Sequence, residues 1–486
     1  MATQTGGVPP HFIVIVPGYM GSKLRDKTTG EIVWVDFSTI PKNPRHWNAW
    51  VDRLLEAMVY PNDNLEPAGI VDEVVIVSPW AKQEQYGRLI VALENMGYRS
   101  DPALHAEDEL NVYAFSYDWR QDNRISAREL GQAIERWRAY HPGAQAWLMG
   151  HSNGGIVSRW YIEKEGGKEH VGKLFLFGSP WDGAPKSLRM LFSGVETLFR
   201  KRFSPFNFTE RSRDLIRSFP SCYQLVPVRN HFLRDLDNKH VDPFSDTGWL
   251  STDQERKFLM DGRRFNEELG TTLSVETLCF FGRKLPTTAF GLVRFAAGRR
   301  WTDIEWKDTE AGDGTIPVWS AVHPEAHEKL PFVVGHGDIY VNDSVLEKVE
   351  WELLGMSETL ERAALVTEFL DIMFEPDSDT YSPGDAIDLW ATVHGVQPDS
   401  SPISNALVQV QLVWRQPLPG DPEVEPPQGL PGTRLWESAS TSGRYEGSLT
   451  APETDGYYEL RASVAALGQP PVMLQELIAV EAMPEE

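Results

Sequence analysis

The residues most able to do chemistry are Gly150-His151-Ser152-Asn153-Gly154-Gly155, which close the apolar run Ala146–Met149 and open an amphipathic stretch. A serine framed as G-x-S-x-G between a strand and a helix reads as a nucleophile elbow. Small neighbours allow the strained turn that lifts a serine hydroxyl clear of a sheet. That hydroxyl is a weak nucleophile unless a base takes its proton and a carboxylate orients the base. In this architecture the acid and then the base follow the elbow. Asp313, flanked by glycine in Gly312-Asp313-Gly314-Thr315-Ile316-Pro317, suits the acid, whereas Asp303 and Asp308 lack that turn chemistry. His336 follows Phe332-Val333-Val334-Gly335, so its ring can swing from the end of a late strand. His323 and His327 lie in a polar stretch and read as solvated surface, and His151 is expected to point away from the nucleophile. A tetrahedral intermediate requires two backbone N–H donors. Asn153, next after the serine, offers one, and Tyr19 in Val16-Pro17-Gly18-Tyr19-Met20-Gly21 offers the other, its ring available to an acyl pocket.

The elements that must position these groups follow from hydrophobic pattern. Strands are expected at His11–Val16, 74–77, Asn111–Ser116, Ala146–Met149, Lys173–Phe177, Thr277–Phe281 and Pro331–Val334. Helices are expected at Tyr86–Met96, Ser126–Tyr140, Ile156–Glu165 and Asp343–Leu354. Short apolar runs alternating with helix-period stretches imply a mostly parallel sheet covered on both faces. Residues 182–275 break the rhythm with Phe, Arg and Pro and read as an inserted cap, with cap and lid material expected over about 23–60 and 182–300. From about Phe369 short alternating runs such as Ala386–Val393, Ala406–Trp414 and Tyr457–Val464 form a β-sandwich pattern, with the Pro-rich 417–431 a loop within it. We therefore expect an α/β catalytic domain over 1–365 and an acidic, Ig-like all-β sandwich over 366–486.

Composition sets outer limits. The formal charge of −24 leaves no excess of Lys and Arg to neutralise phosphates, which argues against nucleic acid as a partner. Residues 366–486 hold 20 acidic residues against four arginines, so −16 of that charge sits in the expected second domain. Two cysteines, Cys222 and Cys279, do not make a disulfide framework. Their scarcity and the absence of a visible signal peptide or bilayer-length apolar run lead to an expected cytoplasmic location. No metal-ligand spacing is visible, and serine chemistry needs no cofactor.

Beyond single motifs, the chain resembles the lecithin:cholesterol acyltransferase family, which includes lysosomal phospholipase A2 and phospholipid:diacylglycerol acyltransferase. The matching pieces, in family order, are VPGYMGSKL (16–24) followed by VW (33–34), SYDWR (116–120), GHSNGG (150–155), FGSPWDGAPKS (177–187), QLVP (224–227), GDGTIP (312–317) and HGD (336–338). The resemblance covers roughly 11–355 and implies an α/β-hydrolase fold, Ser152, Asp313 and His336 as the triad, Tyr19 and Asn153 around the oxyanion, and acyl-ester chemistry on lipids. Two departures stand out. Residues 23–60 hold no cysteine where secreted members close a lid loop with a disulfide, and the acidic sandwich is not a standard part of the family.

Trp34, Trp47 and Trp50 are candidates for a lid at a lipid interface, with packing against the core as the alternative. Trp181 and Phe203 are further substrate candidates. Phe203 lies in the basic aromatic stretch 198–208, which suits headgroups and acyl chains but equally a solvated cap loop. Asp118 and Arg120 read as a structural ion pair. The expected function is a lipid ester acyl hydrolase or O-acyltransferase working through an acyl-serine, with transient membrane-surface contact and a protein partner for the sandwich. The competing readings are an esterase for small soluble esters and a non-catalytic binding scaffold.

Overall fold

Residues alternate between two hydrophobic layers along the central strands. Phe12, Val14, Val16, Leu148, Leu174 and Leu176 pack into one cluster, while Ile13, Ile15, Met149, Phe175 and Phe177 pack into the other. A sheet with both faces apolar must be covered on both faces, which parallel strands with helical crossovers achieve. The computed structural model describes residues 11–34, 47–71, 86–194, 208–237, 239–296, 300–354, 370–378, 380–395, 402–418, 425–439, 441–465 and 472–481. These fall into two compact units, 11–34 with 51–354 and 47–50 with 370–481. The boundary expected at 365/366 and the strand expected at 74–77 lie outside the described residues.

The first unit is built on a parallel sheet of spatial order Glu328–Phe332, Glu276–Gly282, Val171–Phe177, Gln145–His151, His11–Val16, Val112–Ala114. After the edge strand Val112–Ala114 the chain returns across His11–Val16 to Gln145–His151, so the direction of winding reverses there. Ligand sites in such sheets form beyond the carboxyl ends of the strands at that reversal. Val16 and Gly150 are register partners at this point, which sets the loop after Val16 beside the elbow. The last strand starts three residues before the expected Pro331 and ends at Phe332. Pro331 is accommodated because this strand has only one neighbour to satisfy among the described residues.

Helix Asn123–Arg138 is capped by Asp122, whose carboxylate accepts from the Arg124 N–H, and it carries Arg136 and Arg138 in its last turn, where the helix dipole favours cations. The inserted material is more regular than its composition suggests. It contains helices Pro185–Ser193, Phe208–Ile216, Pro220–Gln224 and Asp253–Leu269, the last opened by a reciprocal Thr252–Glu255 capping box. Strand Glu276–Gly282 of the central sheet divides it, and beyond that strand lies the hairpin Thr287–Phe295 with Trp301–Thr309. The early lid region is partly strand, with Ser22–Asp26 paired to Ile32–Trp34 and Leu65–Ile70, then helix Trp47–Met58.

The second unit is all β. Its pairing order is Leu370–Pro376, Ala386–Gly395, Arg444–Thr450, Gly432–Glu437, Leu407–Gln416, Gly456–Ala465, Val472–Val480, Thr380–Tyr381. Gly432–Glu437 pairs with Leu407–Gln416 along its first half and with Arg444–Thr450 at its end, so one strand joins the two layers of the sandwich. Ile387, Leu389, Ala391 and Val393 face a core shared with Val408, Val410, Leu412, Leu460, Ala462 and Val464, in the period of two that a strand dictates. Among the described residues no helix is long and apolar enough to cross a membrane.

Candidate active site

Ser152 stands between Gln145–His151 and helix Asn153–Lys164 with φ 49° and ψ −122°, a conformation that an L-residue holds only under strain. Its amide donates to the Phe177 carbonyl at 2.9 Å, which fixes the turn against the next strand. The surrounding glycines are sterically required. A Cβ on Gly154 would lie 2.1 Å from the Val16 carbonyl oxygen, and one on Gly150 would lie 2.6 Å from the Gly155 Cα.

The structure brings the three candidate residues together. Ser152 Oγ lies 2.9 Å from His336 Nε2, and His336 Nδ1 lies 2.8 Å from Asp313 Oδ2. The other carboxylate oxygen, Oδ1, accepts the amides of Thr315 at 2.9 Å and Ile316 at 2.6 Å, and the Asp313 carbonyl accepts the His336 N–H at 2.8 Å. Asp313 is therefore fully engaged and 1% exposed, while Ser152 keeps 9% of its surface open. Gly178, at φ 57°, leaves the gap in which the pair sits, since a Cβ there would come 3.1 Å from both Asp313 Oδ2 and His336 Nδ1.

The amides of Tyr19 and Asn153 have no hydrogen-bond partner among the described residues, and the backbone of Val16 and Pro17 lies against the elbow at Gly154. Asn153 is the first residue of its helix, where an N–H has no intrahelical acceptor. Its side chain is held in a reciprocal amide pair with Asn123 at 2.9 and 3.0 Å. Gly18 cannot share the role, because its N–H already donates to the Tyr86 hydroxyl at 2.8 Å. The Tyr19 ring packs edge-on to Trp119 at 4.9 Å, and burial pushes its phenol well above the usual range.

The other candidates take structural contacts. Trp34 donates its indole N–H to the Met20 carbonyl at 3.0 Å and meets Trp119 edge-on. Trp181 donates to the Trp319 carbonyl at 3.1 Å, with the Arg229 guanidinium over its ring. Trp50 groups with the second unit, the Trp47 side chain is outside the described residues, and so is Phe203. Arg120 is fully buried and paired twice with Asp118, at 2.9 and 2.8 Å. Next to Trp181, Asp182 is 2% exposed and accepts the amides of Val228, Arg229 and Asn230 at 3.2, 3.0 and 2.8 Å.

His323 corrects the expectation of a solvated side chain. It is 0% exposed, packs edge-on to Trp181 at 5.4 Å, and accepts the Glu325 N–H at 3.2 Å. Burial first, then the charges of Arg159, Arg229 and Lys329, push it down to about 3. Sequence reasoning also passed over Lys186, within the FGSPWDGAPKS motif. Its ammonium bonds Thr315 Oγ1 at 3.0 Å, and burial pushes it down to about 8 against the pull of Asp313. Both cysteines are free and buried. Among the described residues no group of three or more His, Cys, Asp or Glu is arranged to hold a metal ion.

This unit has an α/β-hydrolase fold with a serine at the elbow. Residues 71–277 match the family model of lecithin:cholesterol acyltransferase, a segment that includes the elbow and stops short of Asp313 and His336. The chain is 24% identical over 234 residues to the lysosomal phospholipase A and acyltransferase of Mus musculus, covering 44% of this chain and 53% of that protein. It is 23% identical over 320 residues to the phosphatidylcholine-sterol acyltransferase of Mus musculus, covering 57% and 68% respectively. It therefore spans about half the length of the first of these relatives. Among solved structures, a chain of the Tle4–Tli4 complex superposes with TM-score 0.50 at 13% identity, over 72% of this chain and 100% of that one, a likeness of fold alone.

Proposed function

We propose that this protein is a serine-dependent acyl hydrolase or acyltransferase acting on lipid esters. The observation that carries the reading is the continuous contact from Ser152 Oγ through His336 to Asp313. His336 Nε2 takes the hydroxyl proton as Ser152 Oγ attacks the ester carbonyl. Asp313 holds the Nδ1–H and stabilises the imidazolium that forms. The Tyr19 and Asn153 amides receive the oxyanion. Collapse expels the alcohol, protonated by His336, and leaves an acyl-serine. Water or a second alcohol then takes the acyl group by the reverse steps. Lipid as the substrate class is supported by the relatives, whose names are those of a phospholipase and two acyltransferase activities.

The test is acyl release from phospholipid vesicles by wild type and Ser152→Ala, with and without a long-chain alcohol or diacylglycerol. Fatty acid that disappears in the variant supports a lipid hydrolase, and diversion into a new ester makes it a transferase. Ser152-dependent cleavage of short soluble esters with silence on vesicles replaces lipid by small esters. Wild-type turnover in Ser152→Ala overturns the assignment.

A further inference from the structure

The residue between Gly150 and Ser152 takes no part in the proposed reaction, yet it touches both sides of the site. His151 Nε2 lies 3.0 Å from the His336 carbonyl oxygen, and His151 Nδ1 lies 3.1 Å from the Tyr86 hydroxyl. The same hydroxyl oxygen accepts the Gly18 N–H at 2.8 Å. A carbonyl only accepts, so Nε2 must carry a hydrogen. In the neutral ring Nδ1 is then an acceptor, and the Tyr86 O–H is the donor that faces it. The directions close into one chain, Gly18 N–H to Tyr86 oxygen, Tyr86 O–H to His151 Nδ1, and His151 Nε2–H to the His336 carbonyl. His151 is 1% exposed and Tyr86 is 0% exposed, and the Tyr340 ring lies against both at 4.8 and 4.7 Å. Buried bonds of this kind polarise one another and hold geometry more firmly than isolated ones.

We propose that Tyr86 and His151 are positioning residues that clamp the loop after Val16, which presents the Tyr19 amide, to the loop that carries His336. The proposal rests on the reading of Ser152 and His336 as nucleophile and base. Gly18 adjoins the proposed oxyanion donor, and the clamped carbonyl belongs to the base itself. One chain of three hydrogen bonds therefore sets the distance between the proton acceptor and the oxyanion hole. Both side chains are buried. Loss of either lets the His336 peptide and the Gly18 peptide drift independently, and a misplacement near 1 Å costs on the order of 100-fold in rate.

The experiment compares full-length wild type, Tyr86→Phe, His151→Leu, their combination and His151→Gln. A fluorophosphonate supplies the count of competent sites and the rate constant of serine labelling, and a soluble p-nitrophenyl ester supplies kcat per labelled site and KM. Tyr86→Phe and His151→Leu are each expected to lower kcat per site and the labelling rate by about 10- to 100-fold, with KM within about threefold. The combination is expected to be no worse than the weaker single variant, because both cut the same chain. His151→Gln is expected to recover to within about fivefold, since its amide can donate to one side and accept on the other. Unchanged kcat per site with only a lower melting temperature, or effects that multiply, overturns the clamp. Ser152→Ala run alongside separates the two ideas. Turnover surviving there overturns the nucleophile, whereas turnover lost there but intact in Tyr86→Phe overturns only the clamp.

Discussion

Replacing Asp313 by Asn leaves shape nearly unchanged and inverts one hydrogen-bond direction. Oδ1 accepts two backbone amides, at 2.9 and 2.6 Å, and Oδ2 accepts His336 Nδ1–H at 2.8 Å. Asparagine has one oxygen and one NH2. Turning the NH2 toward Thr315 and Ile316 would oppose it to two N–H donors, each left unsatisfied at about 1–3 kcal/mol. The oxygen therefore stays with the amides and the NH2 faces His336, at a preference of about 2–6 kcal/mol, or roughly 30-fold to 10⁴-fold. Nδ1 must then accept, and the ring carries its hydrogen on Nε2, where the Ser152 proton should go. The expected loss in kcat is about 10⁴-fold, the magnitude a wrong tautomer brings to a Ser–His–Asp group. Stopped-flow hydrolysis of a p-nitrophenyl ester, normalised to folded protein, should show the acylation burst lost, KM within a few-fold and the urea midpoint unchanged. A variant within tenfold of wild type would refute the argument from donor geometry, because the amide would then have found the other orientation.

Three further outcomes follow from packing and charge. In Gly154→Ala the new methyl meets the carbonyl oxygens of Val16 and Pro17 at 2.1 and 2.4 Å, so the cost should reach or pass the upper end of the ~1–3 kcal/mol of ordinary overpacking. Urea unfolding measures it, and near-wild-type stability would contradict it. His323 is held down to about 3 against 6.5 when unfolded, so the unfolded chain binds the extra proton between those values and stability falls as pH drops through that window. His323→Asn keeps an acceptor for the Glu325 amide and should flatten the fall in stability between pH 6.5 and 4, by up to ~1.4 kcal/mol per pH unit. His11, held to about 4 by burial, continues to titrate in that variant, so part of the slope should survive. Thr252→Ala removes the hydroxyl that accepts the Glu255 amide at 3.1 Å and should cost about 1 kcal/mol by chemical denaturation.

Much of the site was readable because its parts are local. Ser152, Asp313 and His336 each sit in turn chemistry confined to about five residues, and such chemistry can be judged without knowing the fold. The central strands were readable because their apolar runs are short and buried on both faces. The hairpin Thr287–Phe295 with Trp301–Thr309 was not, because register shifts after Thr288 and after Arg294 break its alternation. Helix Asp253–Leu269 was missed although Thr252-x-x-Glu255 announced its start. His323 was misread because its sequence neighbours are polar, whereas its burial comes from Trp181, far along the chain. The contact of Tyr86 with His151 spans 65 residues, and no local pattern encodes it.

Asp182 also bears on how this protein can change over evolutionary time. A nearly enclosed carboxylate that accepts three consecutive amides acts as a rivet between the end of strand Val171–Phe177 and the inserted segment at 228–230. Pulling that segment away would strand the charge without its donors, at a cost of several kcal/mol. Residues 228–230 thus belong mechanically to the catalytic frame even though the chain reaches them through the insertion. Between Gly183 and Pro227 the chain is tied to the frame again, through the Gln224 side-chain oxygen that accepts the Asn123 N–H, the Ser221 hydroxyl that donates to the Trp119 carbonyl and the Lys186 ammonium on Thr315. The insertion is riveted at several places along its length, so a change in its length or lining must leave those rivets in place.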